Sequence, residues 1–71
     1  MNAREVKRAW EELLPVIICN PNEKPIECSY IKQVIYSRTN KGKKQVSCVC
    51  VDKNCPQSLI QAKARNIKLM Q

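Results

Sequence analysis

The sequence predicts an α+β fold: one N-terminal α-helix packed on a small, strongly twisted antiparallel sheet of about five strands, closing into a partly open barrel. Three observations carry this. Residues 2–14 hold a single apolar stripe at helical spacing, ended by a proline. Val and Ile outnumber Leu 13 to 4, and branched Cβ atoms suit a pleated surface. Beyond the helix, turn signals recur at roughly 8–12-residue intervals, the spacing of short strands in small barrels.

Residues 2–14 form the helix. Val6, Ala9, Trp10, Leu13 and Leu14 fall on one face, at the i, i+3, i+4, i+7, i+8 spacing of an amphipathic helix. Asn2 can cap it, with Glu5 answering three residues later. Lys7–Glu11 and Arg8–Glu12 are i,i+4 pairs on the wet side, and Pro15 opposes continuation. Trp10, in a chain without Phe, is expected to be the largest element of the core.

Val16 to Cys19 is a short apolar run suited to a buried strand, and Asn20 to Pro25 is a turn-rich loop. Ile26 to Thr39 matches both a helical and a strand period. The β-rich Val34-Ile35-Tyr36 run favours strand, with a bulge near Lys32–Gln33. Cys28, Tyr30, Val34 and Tyr36 are then expected on the core face, and Ile31 and Ile35 on the other. Asn40 to Lys43 is a turn in which Gly42, the one glycine, supplies positive φ. Lys44 to Asp52 returns as a hairpin partner, with Val46, Cys48 and Cys50 on one face. Residues 52–56 form another turn, residues 58–62 a short strand, residues 63–66 a one-turn connection and residues 67–70 a final strand.

The last segment, Ser58 to Ala62, a single turn, then Ile67 to Met70, resembles the close of SH3-like barrels, whose last two strands are joined by a one-turn 3₁₀ helix. The layout of residues 26–70 also resembles small SH3-like proteins encoded by prophages and conjugative elements of Gram-positive bacteria. The resemblance implies a barrel and carries no functional residue over.

Composition bounds the rest. Seventy-one residues make one domain, near the lower limit for folding without staples. The N-terminal segment is charged throughout, unlike a signal peptide. The longest apolar run, Leu13 to Cys19, falls far short of the ~20 residues a membrane helix needs. An intracellular, cytoplasmic protein without membrane contact is expected.

Charge is the most informative functional feature. The net +7 is uneven: residues 29–71 carry nine basic side chains and one acidic, Asp52. Arg38, Lys41, Lys43 and Lys44 crowd around the hairpin turn, and Lys63, Arg65 and Lys68 form a second cluster. If both share a face, they form a candidate surface for DNA or RNA, held by phosphate contacts without sequence preference. The competing reading is a solvated lysine-rich turn that discourages aggregation, on a protein-interaction or assembly module. Such a module would bind a partner or itself through an edge strand or the N-terminal helix.

Five cysteines stand at 19, 28, 48, 50 and 55. Cys28, Cys48, Cys50 and Cys55 are the set a metal would draw on, but they contain no C-x2-C knuckle and the chain has no histidine. A disulfide sits poorly with a reducing compartment. The favoured reading makes Cys19, Cys28, Cys48 and Cys50 small buried hydrophobes and leaves Cys55 exposed. No cofactor is expected. Neither is catalysis: the commonest general base near neutral pH is missing, and no nucleophile has an activating partner in a recognisable motif.

Overall fold

The computed structural model describes residues 1–70. One N-terminal helix packs on a five-stranded antiparallel sheet. The elements run α1 (Ala3–Glu11), β1 (Val16–Ile18), β2 (Ile26–Arg38), β3 (Lys44–Asp52), β4 (Leu59–Lys63), a 3₁₀ turn (Ala64–Asn66) and β5 (Ile67–Leu69). The strand order is β4-β3-β2-β1-β5. The 3₁₀ turn between the last two strands lies where the SH3 resemblance puts it. Among the described residues no pairing joins β4 to β5, so the sheet is open, and closure into a barrel is not established.

The helix begins as its capping residues dictate. Asn2 Oδ1 accepts the Glu5 amide at 2.8 Å, and Glu5 Oε1 accepts the Asn2 amide at 3.2 Å. Its end comes earlier than residue 14. Pro15 holds Leu14 out of the helical region, so the chain reverses at Leu13, which takes φ 53°. The Leu14 amide then reaches back to the Ala9 carbonyl at 3.0 Å. This is a Schellman-type stop with leucine where glycine is usual. Arg8 and Glu12 pair at 3.2 Å; among the described residues Lys7 and Glu11 do not.

The core gathers Val6 and Ala9 of α1 with Val16, Ile18, Cys28, Ile31, Cys48, Cys50, Ala62, Ala64 and Ile67. Trp10 is not its largest element. It is 44% exposed, lying against β2 with its Nε1 donating to the Lys32 carbonyl at 3.3 Å. The core accepts only the small side chains of the helix, and the indole is displaced to its edge.

The bulge in β2 is real and doubled. Pairing with β3 shifts register between Cys28 and Tyr30 and again between Ile31 and Gln33, leaving Ser29 and Lys32 as extra residues. Each bulge flips side-chain parity. Ile31, opposite Cys50, therefore turns inward at 1% exposure, while Tyr30 moves to the outer face opposite Val51. The expected facing of Ile31 and Tyr30 is thus reversed. Ile35, opposite Ser47, lies on the outer face as expected.

Candidate nucleic-acid interface

The β2–β3 hairpin is longer than the sheet around it. β1 pairs with β2 only over Ile26–Cys28, and β4 pairs with β3 only over Ser47–Val51. Pairing of β2 with β3 continues to Arg38↔Lys44, so the distal half of the hairpin overhangs. Its turn is closed by Thr39, whose amide donates to the Lys43 carbonyl at 2.9 Å, and by Gly42 at φ 81°.

This overhang explains a second departure from expectation. Val34, Tyr36 and Arg38 stand opposite Cys48, Val46 and Lys44, and directly paired residues share a face. Tyr36 therefore has the parity of the buried Cys48, as predicted. The core, however, ends before reaching it, and Tyr36 is 67% exposed.

Two adjoining grooves open where the core gives out. The first, of about 380 Å³, is lined by Met1, Ala3, Thr39, Lys43 to Val46, and Lys63 to Arg65. It brings Lys43 and Lys44 of the hairpin together with Lys63 and Arg65 from the β4–β5 connection. The second, of about 580 Å³, is lined by Ala3, Tyr36, Ser37, Arg38 and Lys44 to Val46. The two share Ala3, Lys44, Gln45 and Val46. Among the described residues no Asp or Glu lines either groove.

Most of the basic residues singled out in the sequence thus converge. Lys43, Lys44, Lys63 and Arg65 line the first groove, and Arg38 lines the second. Arg38 is held by its Nη1, which donates to the Gly42 carbonyl at 2.9 Å. Lys41 stays at the turn, outside both linings. Lys68 does not join. It stands opposite Ile17, which in turn faces Glu27, so it lies in an outer-face row with an acidic residue.

The electrostatics of the grooves come mainly from these side chains. The amino end of α1 reaches both through Ala3, adding the partial positive charge of a helix start, although Glu5 in the same turn opposes it. Met1 lines the first groove, and its amino group donates to the Ala64 and Ile67 carbonyls at 2.8 and 3.1 Å. It braces the 3₁₀ turn against the helix and so fixes one wall.

The cysteines lie apart from the grooves. Cys28, Cys48 and Cys50 are buried, Cys19 is half-buried and all five are free thiols. Cys55 is exposed in the turn before β4, its Sγ accepting the Ser58 hydroxyl at 3.4 Å. Burial raises the Cys28 and Cys48 thiols; Cys50 is pushed up to about 12, first by burial and then by its two neighbours. Neutral thiols behave as small apolar side chains. Among the described residues no group of three or more His, Cys, Asp or Glu is arranged to hold a metal ion.

Fold and site together define a small α+β protein with a basic, partly aromatic groove at one end of its sheet. No family model matches the chain, and neither a curated protein nor a solved structure matches it. Among the described residues no helix is long and apolar enough to cross a membrane.

Proposed function

We propose that this chain is a small nucleic-acid-binding protein without catalytic activity, holding a phosphate backbone in the groove between the hairpin and the 3₁₀ turn. One observation carries the reading. Lys43, Lys44, Lys63 and Arg65, from two separated stretches of sequence, line one groove with no Asp or Glu among the described residues of its walls. Long, mobile lysine and arginine side chains along the walls of a concave space can reach phosphates and release condensed counterions as they do. They do not read base edges, so binding is independent of sequence. Nucleic acid as ligand implies an intracellular setting, and five free thiols suit its reducing conditions.

Fluorescence anisotropy of a labelled oligonucleotide at about 50 mM salt tests this. The wild-type chain binds, and a Lys44→Ala/Lys63→Ala variant binds every sequence more weakly by a similar factor. Absence of binding by the wild-type chain at that salt sinks the reading.

A second reading is supported by a different surface. β4 is an edge strand, and Leu59, 51% exposed, stands in one row with Val51 and Tyr30 across the outer face. An open edge beside the exposed Leu59 suits strand addition by a protein partner or a second copy. Sedimentation of the chain alone distinguishes this: a concentration-dependent dimer that Leu59→Lys abolishes favours it.

A further inference from the structure

The exposed tyrosine narrows the class of nucleic acid. Resting on the reading above, we propose that the groove takes a single strand, with one base stacked on Tyr36 and the neighbouring phosphates held by Arg38 and Lys44. Tyr36 is two-thirds exposed on the inner face of the overhang, where a ring is not used for packing. It shares its groove with Arg38 and Lys44, and Lys44 also belongs to the adjoining groove with Lys43, Lys63 and Arg65. Cations thus continue from the ring into the phosphate-binding wall.

This alternation of a stacking platform with cations tracking a backbone is what single-strand binding requires. A base within a duplex has its faces covered by its neighbours and offers Tyr36 nothing to stack on. Size agrees. Spaces of 380 and 580 Å³ lie in the range that encloses small-molecule ligands, roughly 300–1,000 Å³. That suits an unpaired base with its sugar. Trp10, the other exposed aromatic, is outside both grooves, its Nε1 bonded to the Lys32 carbonyl.

The test compares single-stranded DNA, single-stranded RNA and duplex DNA of about 12 nucleotides, titrated with wild type, Tyr36→Ala and Tyr36→Phe. Single strands are expected to lose about tenfold in affinity with Tyr36→Ala and to keep it within about twofold with Tyr36→Phe. The weaker duplex affinity stays unchanged in both variants, which also reports that they remain folded. Should Tyr36→Ala lose duplex binding as well, Tyr36→Thr, which keeps strand propensity, takes its place. The stacking loss in either single-strand arm supports the proposal, and the arm with higher affinity identifies the sugar. Equal wild-type affinity for duplex and single strands, with no effect of Tyr36→Ala, overturns it while phosphate binding stands. Failure of the wild-type chain to bind any of the three removes the underlying nucleic-acid reading instead.

Discussion

Lys63 ends β4 directly opposite Ser47 of β3, and that pairing creates the groove. Beyond it the chain turns through Ala64–Asn66, while β3 retains Lys44, Gln45 and Val46 on its near side without a strand partner. The wall that carries Lys63 and Arg65 therefore faces the wall that carries Lys43 and Lys44. Four cations from distant parts of the sequence meet because one strand is shorter than its neighbour.

The helix stop gives a stability prediction. Leu13 adopts φ 53° and is largely exposed, so it bears backbone strain with little packing in return. Leu13→Gly is expected to stabilise the fold by about 1 kcal/mol, raising Tm by roughly 4–8 °C in a domain of this size. Thermal unfolding of the two proteins checks it; a lowered Tm would mean that Leu13 packing outweighs the strain.

Trp10 separates packing from hydrogen bonding at the edge of the core. Trp10→Phe removes the donor to the Lys32 carbonyl but keeps a ring over β2, and should cost about 1 kcal/mol. Trp10→Ala also removes the packing and should cost distinctly more, about 2–3 kcal/mol for a half-exposed ring. Urea unfolding, read by circular dichroism, measures both. Equal costs would show that the ring itself contributes nothing.

The buried thiols predict a loss of stability at high pH. Cys50 is pushed up to about 12 from an ordinary 9.0. Between those values the folded chain keeps a proton that the unfolded chain has released. Its contribution is complete below pH 9 and declines as pH rises towards 12, at up to ~1.4 kcal/mol per pH unit. Cys28 and Cys48, also raised by burial, act in the same direction. Tm measured from pH 8 to 10.5 is expected to fall, less steeply in Cys50→Ala. An identical slope in the variant would contradict this origin.

Much of the fold was legible because local signals and tertiary packing agree. The Asn2–Glu5 capping box, the Gly42 turn, the hairpin and the 3₁₀ turn are all short-range features. Facing was harder. One bulge at Lys32 was readable from the broken alternation, but the second at Ser29 leaves no signal in the pattern and reverses Tyr30 and Ile31. Periodicity points both Trp10 and Tyr36 inward, because it says which way a side chain faces and not how far the core extends. The meeting of Lys43 and Lys44 with Lys63 and Arg65 depends on the length of β4, and the separation of Lys68 on the pairing of β5 with β1; neither is encoded in local spacing.

The most direct measurement of the central claim is the salt dependence of oligonucleotide affinity. Four groove cations, Lys43, Lys44, Lys63 and Arg65, each neutralising one phosphate, predict a log–log slope of roughly −3 on single strands. Replacing all four by Ala should reduce the slope to roughly −0.7, the single contact left to Arg38, and abolish binding near physiological salt. A wild-type affinity insensitive to salt, or a quadruple variant that binds with the wild-type slope, would contradict the account.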